Sequence, residues 1–294
     1  MGITRRPGAT LAGAVPGATR GESMTTQRST DQSGRVVLIS GGGTGIGAAV
    51  AERFATEGAQ VVLVGRRPEP LRAVAERVGG AWLTADVSDA TQVKDVVARV
   101  LADFGRLDVV VANAGGHGFS AVGDTDDDGW AQSLQANLTT AFVLTRESLP
   151  ALVESGGQIV IVSSLAGVAA GPSVAGYTVG KHALIGLTRS LARDYGPRGV
   201  RTNAICPGWV QTPMADAEMD EFREHAGLAS RDAAYAAVTA DVPLRRPARP
   251  AEIAAAVRFL GSAESSYVNG AVLLVDGGAH MVDVPTIAFD HAGM

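Results

Sequence analysis

The amino-acid sequence predicts a single α/β domain, doubly wound around a parallel seven-stranded sheet with helices on both faces. Three observations carry this. Short apolar runs alternate with segments whose apolar residues recur every three or four positions, without a break over residues 35–276. The runs are continuously apolar, as strands buried on both faces are. No linker or composition shift divides that span, and right-handed crossovers make the sheet doubly wound.

The elements follow in order. Val36-Val37-Leu38-Ile39 is the first strand, and Ile46, Val50 and Phe54 mark a helix that Gly58 stops. Val61-Val62-Leu63-Val64 is the second strand, followed by a helix bearing Leu71, Val74 and Val78. Trp82-Leu83 begins a third strand ending at Asp86, and Val93, Val96, Val97, Val100, Leu101 and Phe104 form a helical stripe. Residues 107–112 are the fourth strand, and one long helix is expected over 130–153 with Pro150 near its end. Residues 158–163 form the fifth strand, Leu184, Leu187 and Leu191 a helix, and residues 200–206 the sixth strand. A polar, Ala-rich, weakly helical interruption spans 211–241. Ile253, Val257 and Leu260 lie on a last helix before the seventh strand, 272–275.

Composition narrows the function. Of 294 residues, 46% are hydrophobic, enough for a sizeable core. Residues 1–33 are rich in Gly, Ala, Thr, Ser and Arg and are expected to be a disordered extension, with Met24 a candidate start. The catalytic domain is then 34–294. The net charge of -5 and the lack of a basic stripe argue against nucleic acid as a partner. The one cysteine, Cys206, allows no intrachain disulfide and reads as a small buried hydrophobe. No apolar run approaches the ~20 residues of a membrane span, and no secretory apolar segment opens the chain, so a cytoplasmic protein is expected. No metal is expected.

The first strand runs into Ser40-Gly41-Gly42-Gly43-Thr44-Gly45-Ile46-Gly47, which opens a helix. Glycines let the backbone turn tightly against a pyrophosphate, and the helix N-terminus offers free N–H groups and a positive dipole end. The spacing is G-x-x-x-G-x-G, and no Lys-Ser/Thr pair follows, which excludes a nucleoside-triphosphate loop. A strand–turn–helix of this kind in a doubly wound sheet describes a Rossmann-type domain that binds a dinucleotide. The second strand ends in Val64-Gly65-Arg66-Arg67, with no acid to hold a ribose 2′-hydroxyl. Arg66, with Arg67 beside it, suits a 2′-phosphate, which favours NADP(H). If both arginines are only solvated loop residues, NAD(H) stays open. Asp86 can accept from an adenine amine, with Val87 beside the ring.

Tyr177 and Lys181 are four residues apart on a helix and share a face. An ammonium beside a phenol is expected to lower the phenol pKa and let it pass a proton near neutral pH. Ser164 ends the fifth strand at the carboxyl edge of the sheet, where its hydroxyl can orient a carbonyl. Asn113 ends the fourth strand on the same edge, and Asn137 sits in the long helix.

Taken together, the 40–47 turn, Asp86-Val87, Asn113-Ala114-Gly115, Asn137, Ser164 with Tyr177 and Lys181, Pro207-Gly208 with Thr212, and Val275-Asp276-Gly277-Gly278 resemble the short-chain dehydrogenase/reductase family over residues 34–279. The resemblance implies hydride transfer between NAD(P)(H) and a carbonyl or secondary alcohol, as in ketoreductases or the related alcohol dehydrogenases. It implies that Tyr177 is the acid or base, that Lys181 lowers its pKa and holds the nicotinamide ribose, and that Ser164 positions the carbonyl. Asn137 would hold a water linking Lys181 to solvent. Ser40, Gly41, Gly43, Thr44, Gly45, Ile46 and Gly47 would cradle the phosphates. Asn113, Ala114 and Gly115 would pack along the adenosine ribose, and Pro207, Gly208, Val210 and Thr212 would flank the nicotinamide. Ser40 replaces the usual Thr, Ala112 replaces a common Asn, and Thr44 is not basic, so Arg66 alone carries the NADP(H) preference.

The resemblance places the substrate against His117, Phe119, Ala166, Val174 and Trp209, with Gly116 and Val168 nearby and 211–241 as a lid. This mostly apolar set suits a cyclic or medium-chain carbonyl, with His117 available to a substrate oxygen. Glu218, Asp220, Glu221 and Glu224 are expected to form a solvated helix face. A homotetramer is the family expectation. An epimerase or dehydratase would need a larger substrate domain, and a non-catalytic dinucleotide sensor would be expected to lack part of the Asn137, Ser164, Tyr177 and Lys181 set.

Overall fold

The computed structural model describes residues 31–294. The candidate start at Met24 and most of the expected extension lie outside the described residues. Residues 31–33 belong to the folded body instead: Gln32 is buried, its N–H donates to the Glu57 carbonyl at 2.8 Å, and its side chain accepts from Arg35 at 2.7 Å.

Seven parallel strands form one sheet in the order β3-β2-β1-β4-β5-β6-β7. They are β1 (Val36–Ser40), β2 (Gln60–Gly65), β3 (Ala81–Thr84), β4 (Val109–Ala112), β5 (Gln158–Val162), β6 (Arg201–Pro207) and β7 (Val272–Val275). Strand ends differ from the sequence expectation by one or two residues, as hydrogen-bond pairing rather than apolarity sets them. Val37 of β1 pairs with Val61 of β2 and Val109 of β4, so the order reverses at β1. A crevice must open there, outside the carboxyl ends of β1 and β4.

Alternate strand residues feed two cores, because side chains on a strand point to opposite faces. Leu38, Val110 and Ile159 pack under α3 (Ala90–Phe104), α5 (Thr140–Ser155) and α6 (Ala175–Tyr195). Ile39, Val111 and Val160 pack under α1 (Gly45–Thr56), α2 (Pro68–Val78) and α9 (Pro250–Leu260). Buried Arg258 of α9 ion-pairs with Glu57, just past α1, and with Glu264, each at 2.5 Å. That fixes α1, and with it the glycine turn at its start.

Two expectations change. The single long helix is in fact α4 (Asp127–Leu134), a π-helical turn (Gln135–Thr139) and α5, with Pro150 inside α5. The π-turn inserts a residue into the helical ladder and carries Asn137. Gly58 stops the first helix as expected: it follows the Glu57 cap at φ 91°, its N–H donates to the Ala55 carbonyl at 3.0 Å, and the Ala59 N–H donates to the Phe54 carbonyl at 3.1 Å. The weakly helical interruption is two helices, α7 (Pro213–Ala226) and α8 (Arg231–Val238), with a small core of Ala215, Met219, Ala234 and Tyr235. Thr212 caps α7, accepting from the Ala215 N–H at 3.3 Å. The tail ends in α10 (Ile287–His291), where His291 Nε2 lies 3.0 Å from Asp241 Oδ1 at the far end of the lid.

Candidate active site

A cleft of about 960 Å³ runs along the carboxyl edge of the sheet from the glycine turn to α7. It is at the upper end of the size range for small-molecule sites. Gly41, Gly43, Thr44, Gly45 and Ile46 line one end. Gly45 adopts φ 54°, which L side chains rarely do. At Gly47 an added Cβ would lie 2.3 Å from the Gly41 carbonyl oxygen, so the turn closes only around glycine. Thr44 precedes α1 and spends no side-chain bond on capping it, which leaves its hydroxyl and the first N–H groups of α1 facing the cleft. This cradle fits a pyrophosphate.

Two expected phosphate-contacting residues do not reach the cleft. Ser40 is buried, and its hydroxyl accepts from the Asn113 and Ala114 N–H groups, each at 3.0 Å. Gly47 is buried beneath the turn. Both shape the cradle from behind. Asn113 and Ala114 line the cleft, and the Asn113 amide donates to the Ser40 and Gly41 carbonyls at 3.1 and 3.3 Å. The ends of β1 and β4 are thereby stitched together.

Past the turn, Arg66 and Arg67 are exposed, line the cleft, and make no hydrogen bond or ion pair with the described residues. Asp86 and Val87 line the same end. One Asp86 oxygen accepts from the Ser88 N–H and hydroxyl at 2.9 and 2.8 Å, leaving the other for a ligand.

At the middle of the cleft the structure brings Ser164, Tyr177 and Lys181 together. Helical spacing places Lys181 Nζ 5.5 Å from the Tyr177 ring centroid. Of the Ser163-Ser164 pair, Ser163 is buried and donates to the Lys181 carbonyl at 2.9 Å, anchoring α6 to β5. Ser164 accepts from the Ala166 N–H at 3.1 Å and keeps its own O–H proton for the cleft. The Phe119 ring lies 5.3 Å from that of Tyr177.

The electrostatics differ from the sequence expectation. Burial pushes the Tyr177 phenol above its usual pKa; the neighbouring Ser164 hydroxyl opposes this, while Glu218 and Cys206 add to it. Desolvation therefore outweighs any lowering by Lys181, and the phenol stays protonated through neutral pH. Burial also brings Lys181 down to about 8. Its Nζ donates to the Val162 carbonyl at 3.0 Å. The sign follows from linkage. The unfolded chain holds this proton up to about 10.5, so folding bears a cost below pH 8 that is relieved as pH rises between those values. In the cofactor-free protein, the unfolding free energy of the native chain should gain about 3 kcal/mol on Lys181→Met across that interval. Urea titrations at a series of pH values check this, and a pH-independent difference would contradict it.

Asn137 is fully buried. Its Oδ1 accepts from the Gly116 N–H at 2.9 Å, and its Nδ2 donates to the His117 and Ser133 carbonyls at 2.8 and 3.0 Å. This spends the side-chain amide on bracing the 115–117 loop, so a water relay at Asn137 would have to use its main chain. Gly115 lines the cleft, and a Cβ there would lie 3.2 Å from Lys181 Nζ and 3.3 Å from Asn137 Oδ1.

The far end of the cleft is lined by Phe119, Ala166, Val174 and Trp209, with Pro207, Gly208, Val210 and Thr212 along its floor. His117 departs from expectation: it is exposed, and lines a separate small hollow with Asp124 and Asp126. The bond from Asn137 to its carbonyl fixes the loop in that orientation. Val168 is likewise exposed and off the cleft. Met214, at the start of the segment expected to wall the substrate, lines the cleft, whereas sequence reasoning missed Leu165 and set Glu218 on a solvated face. The signal for Glu218 was positional, since Met214 and Glu218 are four apart and share a face of α7. Glu218 thus does not belong to a solvated face. Among the described residues, no group of three or more His, Cys, Asp or Glu lies together as a metal site, and no helix is long and apolar enough to cross a membrane.

Fold and site together define an oxidoreductase that works with a nicotinamide dinucleotide at a carbonyl or alcohol carbon. A family model described as enoyl-(acyl carrier protein) reductase matches residues 41–280. Protein MoaE of Klebsiella aerogenes is 46% identical, covering 87% of this chain and 99% of its own. Levodione reductase superposes with a TM-score of 0.79 at 36% identity, covering 85% of this chain and 99% of its own. An actinorhodin polyketide ketoreductase solved with NADPH superposes with a TM-score of 0.79 at 32% identity, covering 83% of this chain and 96% of its own. The chain belongs to the short-chain dehydrogenase/reductase family, as an oxidoreductase acting on carbonyl and CH–OH groups with NAD(P).

Proposed function

We propose that the protein is an NADPH-preferring ketoreductase for small cyclic or medium-chain ketones. The observation that carries this is the Tyr177 phenol beside the Ser164 hydroxyl and Lys181, in a cleft continuous with the glycine turn. When bound, the nicotinamide supplies a hydride to the carbonyl carbon. As the carbonyl π bond breaks, Tyr177 Oη gives its proton to the carbonyl oxygen, so C–H and O–H bonds form together. Ser164 donates to that oxygen and steadies its developing charge. Lys181 holds the phenolate left behind, and its buried cation gains by that pairing. A raised phenol pKa suits the acid role, because the group must begin protonated.

Arg66 supports the NADPH preference. It is unpaired at the adenosine end, and the related polyketide ketoreductase was solved with NADPH. A homo-oligomer, a tetramer by family precedent, accords with exposed apolar side chains such as Phe142 and Val179 on α5 and α6. A cytoplasmic location accords with the free, buried Cys206. The test is to incubate the full chain with unsubstituted and methylated cyclohexanones and follow nicotinamide absorbance. Ketone-dependent oxidation of NADPH, faster than that of NADH, is expected. No ketone-dependent oxidation of either nucleotide would overturn the reading.

A further inference from the structure

The substrate half of the cleft is apolar, walled by Phe119, Leu165, Val174, Trp209 and Met214, with one exception. Glu218 enters it from α7, and apart from Lys181 it is the only charged side chain among the described residues of that half. Of the neighbouring lid acids, Glu221 is exposed to solvent and three others are paired. Asp216 accepts from the Tyr235 hydroxyl at 2.9 Å, Asp220 from Arg231 at 2.9 Å, and Glu224 from Arg223 at 3.0 Å. Glu218 makes no hydrogen bond or ion pair with any described residue. It sits half-buried on a helix fixed by its cap and by the α7–α8 core.

We infer that Glu218 selects the substrate: it recognises a hydrogen-bond donor, hydroxyl or ammonium, on the carbon skeleton away from the reacting carbonyl, and rejects carbonyl compounds bearing a carboxylate there. The inference rests on the ketone-reduction reading and narrows its substrate class. A half-buried carboxylate with no partner has lost hydration that protein groups do not replace, and a donor on the occupant restores the missing bond. An anionic occupant would instead set like charges together in an apolar pocket. Burial, with the nearby Glu221, already holds the Glu218 carboxyl above the usual carboxylate range. A bound donor relieves the first of these causes and a bound anion worsens the second.

The test compares cyclohexanones carrying a methyl, hydroxyl, ammonium or carboxylate group opposite the carbonyl. Each is assayed with NADPH for kcat/KM and titrated by calorimetry for Kd in the presence of NADP⁺. The native chain should favour the hydroxyl and ammonium ketones over the methyl one, and disfavour the carboxylate, by about tenfold each. In Glu218→Ala these ratios collapse toward one. Glu218→Gln keeps the hydroxyl preference within about threefold, because the amide oxygen still accepts, but loses both charge-dependent effects. Turnover with the same ratios in the native chain and Glu218→Ala overturns the inference while the ketoreductase reading stands. Glu218-dependent Kd ratios without hydride transfer leave the inference standing and overturn that reading.

Discussion

Tyr177→Phe should lower kcat/KM for ketone reduction by about 10³-fold while leaving the Kd for NADPH within about threefold of the native value. The expected loss is large because the hydroxyl is the proposed proton donor, and general acid–base groups contribute ~10²–10⁴-fold. The expected change in nucleotide affinity is small because the rest of the residue stays. Its ring still meets Phe119 at 5.3 Å, and its N–H still donates to the Gly118 carbonyl at 3.2 Å. Ser164 accepts from the Ala166 N–H and Lys181 donates to the Val162 carbonyl, anchors that the variant leaves in place. Steady-state kinetics and a fluorescence titration with NADPH separate the two quantities. Near-native turnover in the variant would remove the proton-transfer role from Tyr177.

The second large effect lies at the other end of the cleft. Arg66→Asp should reduce the NADPH-to-NADH ratio of kcat/KM by about 10²-fold or more. Hydrogen bonds to charged groups contribute ~1.5–3 kcal/mol each, and the new carboxylate would also repel a 2′-phosphate while accepting from a 2′-hydroxyl. The change should not disturb the fold, since Arg66 is exposed and its side chain caps no helix. Arg67→Ala, at the N-cap of α2, should move the ratio less. An unchanged ratio in Arg66→Asp would mean that the guanidinium does not meet the cofactor.

Much of this was legible without coordinates. The apolar runs gave the strands because in a parallel sheet with both faces covered the inner strands are buried along their length, as Val36–Ser40 are throughout, whereas the edge strands β3 and β7 are partly exposed. The glycine turn and the Tyr177–Lys181 pair were legible because each depends on local geometry: one turn of backbone, one turn of helix. The π-turn at Gln135–Thr139 was not, because the apolar pattern runs through it unchanged. Pro150 was expected near the end of the long helix and lies inside α5, where neighbouring packing repays the lost bond.

The sequence by itself determined the strand–helix alternation, the glycine turn and the pairing of Tyr177 with Lys181, since those follow from residue type and spacing of a few positions. Only the tertiary structure decided which side chains see the cleft. It turned His117 outward, spent the Asn137 amide on a loop, withdrew Ser40 behind the turn and brought Glu218 into the substrate half. It also reversed the expected direction of the Tyr177 shift. Burial is a property of the packed whole: the cost of desolvating a charge depends on every neighbour that excludes water, and no local spacing encodes that sum.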